Sequence, residues 1–177
     1  AFATSKRKVV TTQVEGLVGK IVMKMSVMKR LKLGTYKFRN VPIHIYNDSV
    51  NVFGYPSVMG LLGADVLRRF NIILNYPGKQ FHLSPNTHLK EAFDYSYTGL
   101  SFYFIDGKII VTEVQQGSPG DVAGFQPGDI IFGIENNFSN NIMVYKALIQ
   151  NPGARLNFII LRNGQPLAKL LKVGSIR

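Results

Sequence analysis

Side chains suited to catalysis or metal binding are sparse in this sequence. It contains no cysteine, which excludes disulfides and thiolate zinc sites. His44, His82 and His88 lack the spacing of a metal-binding motif, and no acidic cluster accompanies them. No serine stands in a nucleophile-elbow motif, and no glycine-rich loop with a lysine could hold a phosphate. We therefore expect neither a metal nor a cofactor.

The aspartates are the remaining candidates for acid–base chemistry. Two carboxylates that share one proton can activate a water molecule, and aspartic peptidases supply each one from an Asp-Thr-Gly or Asp-Ser-Gly loop. None of the six aspartates is followed by either pair. Asp48-Ser49 comes nearest, but Val50 stands in place of the glycine. Asp129, at the start of a predicted strand, is expected to stabilise a turn rather than to catalyse.

Charge divides the chain into two parts. Residues 1–87 carry 13 Lys/Arg against 3 Asp/Glu, whereas residues 88–177 carry 8 against 7. In the basic part the cations alternate with apolar residues, as in residues 20–25, which indicates the solvated faces of strands. The alternative is that residues 1–40 bind an anionic polymer, in which case the affinity would depend on salt. We expect no nucleic-acid partner.

The composition favours a β-rich class. Hydrophobic residues make up 46% of the chain and charged residues 18%, which fits a folded protein with a core. Glycine and β-branched residues are common and tryptophan is absent. No run of 18 apolar residues is present, so we expect no membrane span.

Alternation and glycine turns predict strands in the first part of the chain. These strands cover residues 9–26, where a glycine turn intervenes, then 27–33 and 36–46. Residues 47–57 are predicted to form a loop.

A short helix and a hairpin follow in the sequence. The helix is predicted over residues 64–70, and the hairpin strands over 71–76 and 79–83 around Pro77-Gly78. The polar segment 84–94 reads as a linker.

The second part of the chain shows more regular signals. Asp106-Gly107 and Asn163-Gly164 each mark a tight hairpin. One helix is predicted over residues 118–123, and a longer one runs from a cap at Ser139 or Asn140 to Gln150. The predicted strands are 100–105, 108–114, 130–134, 156–162 and 166–173.

This order of elements resembles a PDZ domain of the bacterial type. The Gly99-Leu100-Ser101-Phe102 run is similar to the family's carboxylate-binding loop, although Ser101 replaces its second glycine. Gly117-Ser118-Pro119, Ala123-Gly124 and Gln126–Ile131 match the family's most recognisable run. The helix at 140–150 falls at the distance that the family requires.

The resemblance implies a peptide-binding site. Successive backbone N–H groups in a tight loop can hold a carboxylate, and the following strand edge can pair with an extended peptide. Ser101 would weaken the hold on a carboxylate and so favour internal segments over free ends. The alternative is a domain that has kept the fold and lost its ligand. The expected peptide-binding residues are Gly99, Leu100, Ser101, Phe102, Tyr103, Phe104, Ile142, Tyr145, Lys146 and Ile149.

Residues 58–83 resemble the closing part of a retropepsin-like aspartic peptidase domain. The similarity lies in Leu61-Leu62-Gly63, the short helix, and a strand that ends at Tyr76. Exported bacterial proteins that join such a domain to a C-terminal PDZ domain have this layout. The resemblance implies that the Asp motif lies upstream of Ala1, so this chain alone would be inactive.

These expectations combine into one assignment. The fold is mainly β, with a partial retropepsin-like barrel at 1–87, a linker at 88–95 and a PDZ-like β-sandwich or barrel with two helices at 96–177. The function is peptide or protein binding within a longer aspartic endopeptidase, exported to the periplasm or cell surface and able to form a homodimer. The alternative is a non-catalytic scaffold on a degenerate peptidase fold.

Overall fold

The computed structural model describes residues 8–16, 19–45 and 60–177, with the side chains at 13–21 outside the description. Two compact units form, one from Ala1–Tyr46 together with Asp94–Arg177 and the other from Asn47–Phe93. The protein is mainly β, as predicted. Within the described ranges, no helix is long and apolar enough to cross a membrane. The domain boundaries expected from the sequence stay predictions.

Three antiparallel strands form the N-terminal sheet, in the order β1 (Val10–Gly16), β2 (Gly19–Leu33) and β3 (Tyr36–Ile45). The two strands predicted on either side of residue 26 are one continuous strand, because no glycine or proline interrupts β2 after its start. Ser26 in its middle is buried, and its hydroxyl donates to the carbonyl of Lys8 at 3.1 Å.

The second unit contains α1 (Ala64–Leu67) and a hairpin of β4 (Phe70–Asn75) and β5 (Gln80–Pro85). The helix is shorter than predicted because Phe70 already belongs to β4. The loop predicted at 47–57 lies outside the described residues.

A five-stranded antiparallel sheet forms most of the rest of the first unit, in the order β11-β10-β9-β8-β7. Aromatic and aliphatic side chains form the hydrophobic core beside this sheet. Within it, the rings of Phe125 and Phe158 pack edge to face at a centroid distance of 5.1 Å. The strands are β7 (Leu100–Ile105), β8 (Lys108–Val114), β9 (Ile130–Ile134), β10 (Arg155–Arg162) and β11 (Gln165–Lys172).

Two helices and a short two-stranded ribbon accompany this sheet. The helices are α2 (Pro119–Val122) and α3 (Ile142–Leu148). Strand β6 (Ser96–Tyr97) pairs with β12 (Gly174–Ser175), a ribbon that the sequence patterns did not predict.

Asn141 caps α3, which corrects the expectation of Ser139 or Asn140. Its side-chain oxygen accepts from the backbone N–H groups of Met143 at 2.9 Å and Val144 at 3.4 Å. Asn140 cannot cap from its position because its φ of 51° belongs to the left-handed region rather than to the extended backbone of a cap.

Asp129 stabilises a turn, as predicted. One carboxylate oxygen accepts from the N–H of Gln126 at 2.8 Å, and the guanidinium of Arg162 donates to both carboxylate oxygens at 2.6 and 2.8 Å. This hydrogen-bonded ion pair raises the pKa of Arg162 above its ordinary range. The carboxylate is thus bound within the fold, at the start of β9.

Candidate functional site

The loop that precedes β7 is built around Gly99. Its φ of +70° lies in the left-handed region, and a Cβ added there would meet Cβ of Ser118 at 2.1 Å. Two carbonyls of the loop accept hydrogen bonds from neighbouring segments. The N–H of Gly120 donates to the carbonyl of Thr98, and the N–H of Gln115 donates to the carbonyl of Gly99, each at 2.8 Å. The loop conformation is therefore fixed by its contacts with α2 and with the segment after β8.

One loop amide already has a side-chain acceptor. The N–H of Leu100 donates to the hydroxyl of Thr98 at a long 3.3 Å. Thr98 is 7% exposed and is one of the residues that line a groove beside the loop. A ligand oxygen that replaced this weak contact would gain a donor in a protected position.

A groove of about 330 Å³ lies beside this loop. Residues 98–103 form one wall, from the loop into β7, and the end of α3 forms the opposite wall. Strand β7 is at the edge of its sheet, with β8 as its one paired neighbour among the described strands. An extended chain of the right length could therefore lie between β7 and α3 and pair with the strand edge.

Most of the expected binding residues line this groove. From the loop and strand these are Gly99, Leu100, Ser101, Phe102 and Tyr103. From the helix they are Lys146 and Ile149. Their role in peptide binding stays a prediction.

Three expected residues lie outside the groove lining. Tyr145 is fully buried, and its hydroxyl donates to the carbonyls of Phe132 and Asn137. Ile142 packs against the same core. Phe104 is 53% exposed and is not part of the groove wall. The helix is rotated so that Tyr145 faces the core, whereas the exposed Lys146 and Gln150 border the groove. Ile149, one turn after Tyr145, packs against the core and also lines the groove.

Sequence patterns did not predict several lining residues. Gln150 follows Lys146 by four positions, so helical spacing could have found it. Thr12 and Met25 also line the groove, although they belong to the N-terminal sheet, and no local signal marks them.

The charges at the groove have both signs. Asp94 and Glu113 contribute carboxylates and Lys146 contributes a cation. The ammonium of Lys146 lies 5.7 Å from the ring centroid of Tyr103, within the range of a cation–π contact across the groove. One carboxylate oxygen of Asp94 accepts from the N–H of Ser96 at 2.8 Å. No group of His, Asp or Glu within the described part of the chain has the arrangement of a metal site.

Tyr97, which lines the groove, is hydrogen-bonded to the N-terminal sheet. Its hydroxyl donates to the carbonyl of Thr11 at 2.9 Å. Burial raises the pKa of this hydroxyl above its ordinary range.

The solved structures that resemble the chain include two proteases and one isolated domain. A serine endoprotease from Yersinia pestis is 16% identical, with a TM-score of 0.45, and the match covers 95% of this chain and 62% of that one. The HtrA-type protease AlgW with a decapeptide is 14% identical, with a TM-score of 0.47, covering 95% and 60%. These scores are too low to establish a common fold over the whole chain.

The third structure is the PDZ domain of a carboxy-terminal protease from Vibrio cholerae in complex with a peptide. It is 16% identical, with a TM-score of 0.41, and the match covers 47% of this chain and 97% of that domain. The chain spans only about three fifths of the length of the HtrA-type protease. No curated protein matches the sequence.

A family model gives the decisive comparison. Residues 110–162 match the model of the PDZ domain. The match runs from within β8 to the end of β10 and so includes α2, β9 and α3. The second half of this chain therefore contains a PDZ domain.

Proposed function

We propose that this chain binds an extended peptide or protein segment in the groove between β7 and α3. The observation that carries the proposal is the groove itself, which combines an edge strand, a tight glycine loop and a facing helix end. The edge strand offers main-chain hydrogen bonds and the groove offers apolar contact with Leu100 and Ile149. The match to the PDZ family model supports the same function.

A peptide titration tests this proposal. The probes are fluorescein-labelled decapeptide pools whose C-terminal residue is Val, Leu, Ile or Phe, each prepared with a free carboxylate and with an amide end. We expect saturable binding in the micromolar range, which is about 8 kcal/mol of binding free energy. If no pool binds in either form, the peptide-binding proposal is wrong.

Variants in α3 and just after its C-terminal end locate the site. Gln150 is exposed and lines the groove, so Gln150→Trp should fill the groove without disturbing the core. Met143, near the start of α3, is 72% exposed and lies outside the groove, so Met143→Trp is the matched control. We expect the first variant to lose at least about tenfold in affinity, because the added ring occupies the space of the ligand, and the second to bind normally. Equal binding by both variants would place the ligand elsewhere.

For the longer protein we propose an aspartic-type endopeptidase whose PDZ domain recruits the substrate. The second unit supports this proposal because its apolar side chains are poorly covered: Ile73 is 66% exposed, Tyr76 81% and Leu61 75%. Ile73 and the adjacent Leu74, 51% exposed, point to opposite faces of the hairpin, so both faces are available for packing against further polypeptide. The short helix and the strand β4, which is followed directly by Tyr76, also fit the resemblance to the retropepsin-like closing segment.

A peptidase assay separates this proposal from the scaffold alternative. The gene upstream of Ala1 should encode Asp-Thr-Gly or Asp-Ser-Gly, and the full-length protein should cleave peptides at acidic pH. An Asp→Asn change in that motif should abolish cleavage and leave peptide binding unchanged. If the motif is absent, the scaffold alternative is favoured.

We further propose, from the same resemblance, that the protein is exported to the periplasm or cell surface and that it dimerises.

A further inference from the structure

The groove has a third wall that does not belong to the PDZ domain. Thr12 of β1 and Met25 of β2 line it together with the loop and the helix end. The two strands are paired so that Val10 lies opposite Met25 and Thr12 opposite Met23, which puts Thr12 and Met25 on the same face of the N-terminal sheet. That face therefore looks into the groove.

The contact of Tyr97 shows at which end of the groove this wall stands. Tyr97 donates to the carbonyl of Thr11, and it lies two residues before Gly99. Tyr97 and Ser96 line the groove as well. The N-terminal sheet is therefore beside the glycine loop, at the end where a ligand's terminal carboxylate would lie.

We infer that Thr12 and Met25 form the end wall of the ligand site, so that a bound chain end contacts the PDZ domain and the N-terminal sheet together. Two consequences follow from a wall in this place. The groove accepts a free C-terminus and excludes a chain that continues past the loop, which is the opposite of the preference expected from Ser101. Binding also stabilises the packing of β1 and β2 on the domain, because the ligand gains contacts only when the sheet is docked.

Met25 is suited to this role. It is partly buried, and its flexible thioether side chain adapts to ligand side chains of different shape. Thr12, also partly buried, adds a hydroxyl that can donate to or accept from a chain end. Lys8, which precedes β1, donates to the carbonyl of Ser175 and so holds the start of this sheet near the β6–β12 ribbon.

The inference rests on the proposed peptide binding, and the experiment tests the two separately. Hydrogen exchange of the full chain is measured with and without the tightest-binding free-acid pool from the titration. We expect slower exchange in the β7 edge and also at residues 10–12 and 22–26. If exchange slows in β7 alone, the result supports peptide binding but contradicts the inference that Thr12 and Met25 form the end wall.

Affinity measurements on variants provide the second readout. Met25→Ala should weaken binding about threefold to tenfold, the effect of losing a few buried apolar atoms. Met28→Ala is the matched control, because Met28 is also partly buried in β2 but points to the other face and is not in the groove lining. Met25→Leu keeps the apolar volume and should restore most of the affinity, which separates a lost contact from a folding defect.

A peptide extended by Gly-Gly beyond its apolar end tests the exclusion of continuing chains. The wild-type protein should bind it at least about tenfold more weakly than the unextended peptide, because the wall blocks the added residues. Met25→Ala should reduce this discrimination. Equal affinities of the wild-type protein for both peptides would overturn the inference, and absence of any binding would overturn the proposed function with it.

Discussion

Gly99 has a backbone conformation and a packing environment that admit no side chain. Its φ is +70°, and an added Cβ would lie 2.1 Å from Cβ and 2.3 Å from Oγ of Ser118. Ser118 is buried, and its hydroxyl accepts from the N–H of Asp121 at the start of α2. A side chain at position 99 must therefore displace either the loop or the cap of α2.

We predict that Gly99→Ala destabilises the chain by about 3 kcal/mol or more, the combined cost of backbone strain and a severe overlap. The affinity for peptides should fall with it, because the loop amides move. Gly107→Ala is the control, since Gly107 has a φ of +76° but nothing within 4 Å of the added Cβ. Gly107→Ala should lower the free energy of unfolding by only about 1 kcal/mol, which is the cost of backbone strain alone. Urea unfolding measures both, and equal losses would contradict the overlap.

At the scale of elements, a buried arginine connects α1 with the segment after β5. Arg69 is 1% exposed, and its guanidinium lies 4.0 Å from the ring centroid of Phe93. It donates to five main-chain carbonyls, at Asp65, His88, Leu89, Glu91 and Ala92. Much of the polar segment that reads as a linker in the sequence is therefore bound to the side chain of Arg69 within the second unit.

We predict that Arg69→Met lowers the free energy of unfolding by about 3–5 kcal/mol, because it removes the buried guanidinium and leaves several main-chain carbonyls without a donor. The neighbouring Arg68→Met should change stability by less than about 1 kcal/mol, since its ion pair with Glu91 is exposed. Limited proteolysis between residues 86 and 93 measures the effect. Similar cleavage rates in the two variants would contradict the role of Arg69.

The β2–β3 hairpin brings like charges together. Arg30 lies directly opposite Arg39, and Lys32 opposite Lys37, and all four residues are exposed. Like charges in opposing positions destabilise a strand pair. The basic face therefore destabilises the hairpin, and a bound anion or added salt would reduce this destabilisation.

We predict that Lys37→Glu stabilises the chain by about 0.2–1 kcal/mol at low salt, because it creates an opposite-charge pair with Lys32. Lys24→Glu makes the same change of charge opposite Ile45 and should give a smaller effect. Thermal unfolding at low and high salt measures the difference, which should shrink as salt increases. Greater stability of the Lys24 variant would contradict the cross-strand explanation.

At the scale of the whole first unit, Tyr97 connects regions 86 residues apart in sequence. Its pKa is raised by burial, so the folded state keeps the phenol proton at a pH where the unfolded chain has released it. The folded state then binds more protons than the unfolded state, and the stability that Tyr97 contributes is lost as the pH rises above about 10, its ordinary pKa.

We predict that the stability difference between the wild-type protein and Tyr97→Phe is constant below pH 9 and shrinks above about pH 10. Below that range the variant should be less stable by about 1 kcal/mol, the net value of the hydrogen bond to Thr11. Urea unfolding across this pH range measures the difference. A difference that grows with pH would contradict the sign of the shift.

Much of the PDZ half was predictable from local sequence. The Asp106-Gly107 and Asn163-Gly164 turns fixed two hairpins, and the strands and helices lie close to their predicted positions. These features follow from neighbours in the chain, because turn chemistry and alternation act over a few residues. The resemblance to the PDZ family then indicated which loop and helix face each other.

The sequence by itself determined a β-rich chain with a PDZ domain and a glycine loop beside an edge strand. The tertiary structure alone decided that Tyr145 turns into the core, that Arg69 holds the segment after β5, and that Thr12 and Met25 reach the groove. The physical reason is the range of the interactions. Turns and strand alternation are encoded among near neighbours, whereas a helix's rotation and a shared groove wall depend on packing between segments that the sequence keeps far apart.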